Sequence, residues 1–283
     1  MAALDPTARS ILAEGRQLHL GLLTSRGPHV TPELYATVDY DIWFATAADT
    51  LKSRLLPRNG TVSALVRAGS RSFVLRGAAK QYDAANAREL LGSAAEGFRA
   101  LQAIGAFTMR NAADLGGFAR DLVAGRLPSR LPQRRILVRL RPVAWATLDG
   151  TALNTVDGDW PGRVEAPDVV PGLPGARDAA IAWRYDEGVV VLPGRLESPV
   201  SDTAVAHAPG VLAQLAGVEA GESAAAVVSD DYRAPGPAAK SGSMLRGRGT
   251  LSYDGAFARI ELAVERETSW DGAATRTEER PAS

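Results

Sequence analysis

Short apolar runs bounded by turn-forming residues recur through the first part of the chain. Their lengths and even spacing are typical of strands in an antiparallel barrel or sandwich. Pro32 falls within the second run, and because proline has no N–H to donate, we expect that strand at a sheet edge or a bulge. The predicted strands of this part lie at residues 18–25, 29–36, 42–46, 61–66, 72–79 and 136–148.

The region between the last two of these runs has a helical pattern. Large apolar residues recur there at intervals of three and four positions, which is the periodicity of an amphipathic helix. We expect two or three helices, inserted into the first barrel over residues 84–134 and covering one side of any pocket there. The recurring residues are Leu90, Leu91, Phe98, Leu101, Ile104, Phe107, Leu115, Phe118, Leu122 and Val123.

The second half of the chain repeats the order of motifs in the first half. Arg76-Gly77 is matched by Arg246-Gly247, and a Tyr-Asp pair follows both at similar spacing. A repeated order of strands predicts two related small barrels packed against one another. Weaker matches occur in the same order, pairing 30–32 with 191–193, 61–66 with 223–228, and 143–150 with 265–272.

The repeat divides the chain into two predicted domains. The first spans residues 1–150 and contains the helical insertion, and the second spans residues 176–272. Residues 151–175 are rich in Gly, Pro and Asp and are interpreted as a linker. The polar residues 273–283 are expected to form a flexible tail.

Composition limits the possible classes of function. The 283-residue chain has a formal net charge of zero, so no overall field favours nucleic acid or anionic lipid as a partner. The absence of cysteine excludes disulfides, thiolate metal ligands and cysteine nucleophiles. Three separated histidines lack ligand spacing, so no metal site is expected. We expect a cytoplasmic protein, since neither a signal peptide nor an apolar run of roughly 20 residues is evident.

The stretch from Trp43 to Leu55 contains the strongest candidate chemistry. A hydrophobic strand ends at Thr46, and a short turn leads to a helix that begins near Thr50. Hydroxyls, main-chain N–H groups and the Lys52 cation within one turn suit a phosphate, because anions are stabilised at helix N-termini. The alternative is an ordinary strand-to-helix connection in which Thr50 is the N-cap and the basic side chains are solvated.

Three segments of the first half resemble the pyridoxamine-phosphate-oxidase-like family of split β-barrel flavoproteins, which includes flavin- and deazaflavin-dependent oxidoreductases. The segments are Gly-Leu-Leu-Thr with its Gly-Pro turn (21–32), Ile-Trp-Phe-Ala-Thr with Thr-x-Lys-Ser (42–53), and strand 61–66 with Arg76-Gly77. The resemblance implies a mainly β fold with inserted helices (α+β), made of two tandem split β-barrels related by internal duplication. It also implies an oxidoreductase that transfers hydride to or from a small conjugated substrate.

The resemblance assigns a cofactor and roles to residues of the first half. FMN is the expected cofactor, and the deazaflavin coenzyme is the alternative because the alanine- and glycine-rich composition indicates a GC-rich genome. A haem-binding branch of the same fold leaves open a second class, a haem-binding or non-catalytic cofactor-binding protein. The residues expected to hold the cofactor phosphate are Thr46, Thr50, Lys52 and Ser53.

A second set of residues is expected beside the planar ring of the cofactor. Such a ring needs an apolar slot with a few main-chain hydrogen bonds. The resemblance places the main chain of two strands along that ring, and it makes one histidine a candidate for lining the pocket. These residues are Val30, Thr31, Pro32, Ala64, Leu65, Val66 and His29.

Departures from the family pattern bear on the number of sites. The family's Arg-Pro pair is Gly27-Pro28 here, and the second copy has Leu212 and Gln214 near the positions of the first copy's hydroxyl and cation. Family members usually bind cofactor between the two barrels of a homodimer. The chain is therefore expected to be an intramolecular pseudo-dimer with one competent site, and whether it dimerises again is left open. Lys240 is a candidate to reach that site, although an exposed lysine is the simpler interpretation.

Overall fold

The computed structural model describes residues 4–58, 61–83, 94–126, 134–164, 172–186, 188–197, 202–272 and 274–280. These ranges form two antiparallel sheets, one from each half of the chain, with helices inserted in the first half. The mainly β architecture with inserted helices is therefore confirmed. None of the helices in these ranges is long and apolar enough to cross a membrane.

The elements of the first half follow the predicted pattern of strands and helices. In chain order they are α1 (Pro6–Glu14), β1 (Leu18–Thr24), β2 (Gly27–Glu33), β3 (Tyr35–Val38), β4 (Asp41–Ala47), α2 (Leu51–Leu55), β5 (Thr61–Ala68), β6 (Arg71–Asp83), α3 (Ala94–Arg110), α4 (Ala112–Val123), β7 (Arg135–Asp149) and β8 (Ala152–Gly158).

The first sheet has the strand order β2-β1-β5-β6-β7-β4-β3, and β8 pairs with the C-terminal part of β7. The strand order places β2 at one end, where Pro32 lies opposite His19. The prediction of an edge position for Pro32 is confirmed, and it follows from the missing N–H of proline. Side chains of this sheet, such as Leu20, Phe44 and Phe73, are fully buried in one apolar core.

The second half forms a sheet that closes on itself. Its strand order is β11-β10-β9-β12-β13-β14-β15, and β11 also pairs with β14. In chain order the elements are β9 (Arg177–Tyr185), β10 (Gly188–Leu196), β11 (Thr203–Pro209), α5 (Gly210–Leu215), β12 (Gly221–Tyr232), a 3₁₀ turn (Pro237–Ala239), β13 (Lys240–Asp254), β14 (Phe257–Asp271) and β15 (Ala274–Glu279).

The internal duplication is visible in the pairing of the strands. The run β1-β5-β6-β7-β4 of the first sheet corresponds to β9-β12-β13-β14-β11 of the second. Each copy has a register shift at the same place, between Arg76 and Gly77 in one and between Arg246 and Gly247 in the other. A Cβ on Gly77 would lie 2.5 Å from a carbonyl oxygen, and one on Gly247 would overlap another. The glycine of each bulge is therefore required by close main-chain contact.

The strand registers also correct one detail of the repeat. Arg76 lies opposite Ser63, and the equivalent Arg246 lies opposite Ala226. Ser63 and Ala226 are therefore equivalent positions, so the predicted match of 61–66 with 223–228 is wrong by one residue. Alanine-rich strands align equally well in two registers, because small similar side chains give no distinctive pattern.

Two segments expected to be irregular contain strands. The range interpreted as a linker, 151–175, includes β8, which extends the first sheet. The range expected to be a flexible tail, 273–283, includes β15, which pairs with β14 from Arg266↔Glu279 to Asp271↔Ala274. Polar edge strands resemble loops in sequence because neither of their faces needs an apolar pattern.

The helical insertion is confirmed as α3 and α4, while residues 84–93 and 127–133 of the predicted range lie outside the described residues. The buried side of α3 is made by Ala100 and Ala103, which pack with Trp43. Phe98 and Leu101 are 62% and 59% exposed. The periodicity therefore predicted the helix correctly, but the large apolar residues do not all face the core.

The two halves share one apolar core. Val30, Leu65 and Val74 of the first half belong to the same buried cluster as Ile181 and Val191 of the second half. The cluster also contains a hydrogen bond from the Val191 main-chain N–H to the Ser63 hydroxyl, at 2.9 Å. Apolar burial on this scale stabilises a fixed arrangement of the halves, since each buried Val or Leu side chain contributes roughly 1.5–3 kcal/mol.

Candidate functional site

The turn between β4 and α2 has the geometry of an N-capped helix start. Thr50 is the N-cap, and its hydroxyl accepts a hydrogen bond from the Ser53 main-chain N–H at 3.3 Å. The Thr50 hydroxyl also lies 3.1 Å from the Thr46 hydroxyl. The N-cap interpretation of Thr50 is therefore confirmed, and the structure brings the predicted hydroxyls together within one turn.

The hydroxyls of this turn are bound to its main chain. The Ser53 hydroxyl lies within donating distance of the carbonyl oxygens of Ala48, at 2.6 Å, and of Thr50, at 2.8 Å. The Thr50 hydroxyl lies 2.9 Å from the Ala47 carbonyl oxygen. These bonds stabilise the turn, so a ligand would receive new hydroxyl bonds only by replacing them.

Lys52 forms an ion pair with Glu33 at the end of β2. The Lys52 ammonium bonds to a carboxylate oxygen of Glu33, and the two side chains are only 15% and 8% exposed. Burying either charge alone would be costly, so the two compensate each other. Glu33 was not among the site residues predicted from the sequence. The available indication was the two-residue period of β2, which puts His29, Thr31 and Glu33 on one face.

A cavity of about 490 Å³ lies beside this ion pair. The first sheet, the helical insertion and the second half all contribute to its wall, so the expectation that the inserted helices cover one side of a pocket agrees with the structure. Lys240 also lines it. The lining residues are Pro32, Glu33, Leu34, Ala45, Phe107, Thr108, Asp114, Leu115, Phe118, Arg135, Pro237 and Lys240.

The wall formed by the second half is held in place through Asp114 of α4. The Tyr232 hydroxyl donates a hydrogen bond to the Asp114 carboxylate, and the Lys240 ammonium lies 3.5 Å from the same carboxylate. Burial and the neighbouring Asp114 raise the pKa of Tyr232 well above its usual value. The phenol therefore stays protonated near neutral pH and acts as a hydrogen-bond donor to Asp114.

Two buried polar atoms of β2 have no hydrogen-bond partner among the described residues. They are Nδ1 of His29 and the hydroxyl oxygen of Thr31. Burial lowers the pKa of His29 to about 4, and the nearby cations of Arg246 and Lys52 contribute. His29 is therefore neutral at pH 7. It does not line the 490 Å³ cavity, so its predicted role in the pocket remains a prediction.

The remaining predicted ring-binding residues lie mostly in packed interiors. Of the two predicted segments, only Pro32 lines the cavity. Ala64 and Val66 are buried inside the first sheet, while Val30 and Leu65 lie in the core shared by the two halves. The structure therefore brings the predicted phosphate residues together in one turn, but neither they nor Ala64, Leu65 and Val66 line the cavity.

The corresponding turn of the second half lacks the polar groups. Helix α5 follows β11 as α2 follows β4, but its N-cap is Pro209, which makes no side-chain cap bond. Leu212 within this helix is fully buried. The second copy thus uses its helix for apolar packing. No group of three metal-ligating side chains occurs in the part of the chain that the structure describes.

No protein-family model matches the chain, and no curated protein sequence matches it. Among solved structures, an FAD-binding protein from Mesorhizobium loti is 18% identical, with a TM-score of 0.36, over 52% of this chain and 95% of its own. A pyridoxamine 5'-phosphate oxidase-related, FMN-binding protein from Nostoc punctiforme is 14% identical, with a TM-score of 0.35, over 52% of this chain and 87% of its own.

A putative pyridoxamine 5'-phosphate oxidase from Listeria innocua is 12% identical, with a TM-score of 0.33, over 50% of this chain and 95% of its own. Each of these proteins matches about half of the chain. At such identities and TM-scores the likeness assigns no ligand or activity to this chain. The solved structures similar to part of this chain thus include the family that its sequence motifs resemble.

Proposed function

We propose that the chain binds a flavin-type cofactor, FMN or the deazaflavin coenzyme, and acts as an oxidoreductase that transfers hydride to or from a small conjugated substrate. The observation that carries this proposal is the cavity of about 490 Å³ lined by Ala45, which precedes Thr46, and by Glu33, which pairs with Lys52. Its volume falls in the range of about 300–1,000 Å³ usual for cofactor sites. When bound, such a cofactor supplies the redox chemistry, and the protein supplies orientation and electrostatics.

The cavity wall suits the ring of such a cofactor. Phe107, Leu115 and Phe118 of the helical insertion give it an apolar side, to which a planar ring can pack. Lys240 and Arg135 line the cavity together with the carboxylates of Glu33 and Asp114, and Lys240 lies 3.5 Å from Asp114. Apolar walls with a few charged groups are typical of sites that bind a planar ring carrying an anionic tail.

Binding of the cofactor phosphate requires Lys52 to exchange its present partner, Glu33, for the phosphate. Lys52 is held by Glu33, and a phosphate placed beside the Glu33 carboxylate would be repelled by it. Lys52 can bind phosphate when its ammonium turns from Glu33 to the ligand, next to the first turn of α2. Because the equivalent turn of the second half is apolar, the proposal is one cofactor site per chain.

The test is an absorbance spectrum of the purified protein, repeated after adding each cofactor. A flavin spectrum supports FMN, and a colourless protein that binds added deazaflavin supports the alternative. We expect Lys52→Ala to weaken cofactor binding at least tenfold, while Lys80→Ala leaves it unchanged because Lys80 pairs with Glu96 outside the cavity. Failure to bind either cofactor would overturn the proposal.

A second variant tests the position of the ring. Leu115 is 40% exposed, so Leu115→Trp fills the cavity without disturbing the core. We expect this variant to fold normally and to lose cofactor binding. The haem-binding alternative predicts a Soret band on adding haemin that disappears in His29→Ala, and a Soret band of that kind without flavin binding would replace the proposal.

A further inference from the structure

A second cavity, of about 550 Å³, lies where the β1–β2 turn of the first half meets β13 and β14 of the second. We call it the arginine pocket, because three of its lining side chains are guanidinium groups. Its lining residues are Arg26, Arg246, Gly247, Glu265, Arg266 and Glu279. None of them lines the 490 Å³ cavity beside Glu33.

Two of these arginines are direct cross-strand neighbours. Arg246 on β13 lies opposite Arg266 on β14, at the register shift between Arg246 and Gly247. Like charges directly opposite each other destabilise a sheet, so the sequence alone offers no structural reason for this pair. β-Bulges are common beside functional sites, where they change the direction of a side chain.

The first half shows what the same position looks like without an anion site. Arg76 is the equivalent of Arg246, and it lies opposite Ala144 rather than a second arginine. Its guanidinium donates to the Asp159 carbonyl oxygen at 3.2 Å and stacks over the Tyr185 ring at 5.8 Å. Among the described residues, Nε of Arg76 is buried without a partner, as are those of Arg246 and Arg266, but the rest of its guanidinium has contacts within the chain. The second half differs by the additional charge of Arg266.

The partners available to the arginine pocket do not satisfy its donors. Arg266 pairs with Glu279 at 3.2 Å, but Nε of Arg246 and Nε of Arg266 are buried without a hydrogen-bond partner. Within the described residues the side chain of Arg246 forms neither a hydrogen bond nor an ion pair. Burial together with the charge of Arg266 lowers the pKa of Arg246. Buried donors are normally satisfied, so an acceptor is expected here.

Arg26 completes the pocket from the first half of the chain. It is exposed on the tight turn in which the Thr24 hydroxyl donates to the Gly27 carbonyl oxygen at 2.8 Å. Three guanidinium groups face two carboxylates, which leaves an excess of positive charge. Planar guanidinium groups bind phosphate oxygens through paired N–H donors, so they match an anion with several acceptor oxygens.

We propose that the arginine pocket is a binding site for the phosphate group of a small molecule, held by Arg246 and Arg266 of the second half and by Arg26 of the first. Its lining residues differ from those of the 490 Å³ cavity, and the inference does not rest on the proposed cofactor. Arg246 and Lys52 both lower the pKa of His29, so the experiment includes a Lys52 variant. It lies between the halves, so a bound phosphate links the β1–β2 turn to β13 and β14.

The experiment is a titration of the full chain with inorganic phosphate, measured by isothermal titration calorimetry at pH 7.5 and low ionic strength. We expect saturable binding of one phosphate, which weakens as salt is added because charged contacts are screened. Arg246→Gln and Arg266→Gln should each weaken binding at least tenfold. Arg248→Gln is the matched control, because Arg248 lies on the same strand and is 71% exposed.

Thermal unfolding separates a binding role from a structural one. We expect phosphate to raise the unfolding midpoint of the wild-type protein. Arg246→Gln should keep or raise the midpoint measured without phosphate, because it relieves the repulsion from Arg266, and should abolish the increase on adding phosphate. A lower midpoint with unchanged phosphate affinity would overturn the proposal.

A last variant separates this site from the proposed cofactor site. Lys52→Ala should leave binding of inorganic phosphate to the arginine pocket unchanged. If Lys52→Ala abolishes it while both arginine variants bind normally, the phosphate site is the turn before α2 and the proposal fails. Absence of saturable binding to the wild-type protein overturns it as well.

Discussion

Replacing Glu33 by glutamine should destabilise the protein through the charge it leaves behind on Lys52. The substitution keeps the shape of the side chain and an oxygen that can accept a hydrogen bond, but it removes the negative charge. Both side chains are largely buried, at 8% exposed for Glu33 and 15% for Lys52. The ammonium of Lys52 then lacks an opposite charge in a poorly solvated position.

The expected cost follows from the burial of the pair. Breaking a buried ion pair by removing one partner costs about 3–5 kcal/mol. The flexible stem of Lys52 allows its ammonium to move towards water, so we expect Glu33→Gln to cost about 2–3 kcal/mol. At about 2–4 °C per kcal/mol, this corresponds to a fall in the unfolding midpoint of roughly 5–10 °C.

The assay is a double-mutant cycle measured by chemical denaturation. Lys52→Met removes the cation, and the combination with Glu33→Gln should recover at least about 1.5 kcal/mol relative to the sum of the single changes. Glu96→Gln is the control, because its pair with Lys80 is exposed and such pairs contribute about 0–1 kcal/mol. A coupling energy below about 0.5 kcal/mol between Glu33 and Lys52 would refute this account.

Two further predictions concern the bulge and the buried histidine. Gly247→Ala should lower the free energy of unfolding by about 2 kcal/mol or more, because its Cβ would overlap the Ala263 carbonyl oxygen. Gly105→Ala is the control and should not destabilise, because no atom lies within 4 Å of its Cβ. The denaturant midpoints of both variants check this. The pKa of His29 is lowered from 6.5 to about 4 in the folded protein, so the unfolded chain binds the proton at higher pH than the folded one. Stability therefore falls as the pH drops from about 6.5 to about 4, by at most about 3 kcal/mol. His29→Gln should flatten that part of the profile relative to a His207→Gln control, and an unchanged profile would contradict the prediction.

The fold was predictable from the sequence where a local pattern has a physical cause close by. The repeated Arg-Gly pairs at Gly77 and Gly247 indicated the duplication, because a bulge with close main-chain contact admits only glycine. Pro32 indicated an edge strand for the same kind of reason. The capping role of Thr50 was also readable, since it depends on residues three positions apart.

The candidate site was less predictable because its contacts join distant parts of the chain. Glu33 and Lys52 are 19 residues apart and meet only once β2 and α2 are placed by the sheet. The contact of Asp114 with Lys240 depends on the packing of the insertion against the second half. Apolar periodicity identified α3 but did not predict that Phe98 is exposed, because the period fixes which residues share a face and not what covers it.

The duplication within one chain has a consequence for how this protein can change. In a symmetric homodimer every substitution appears twice, so a residue that favours one interface site is imposed on the other. Here the two barrels are encoded separately, and equivalent positions already differ, with Ala144 in one and Arg266 in the other. The second copy combines a closed sheet and an apolar helix with Arg266, while the first copy carries the polar turn that Thr50 caps. Such an arrangement permits asymmetric sites that a pair of identical subunits could not form.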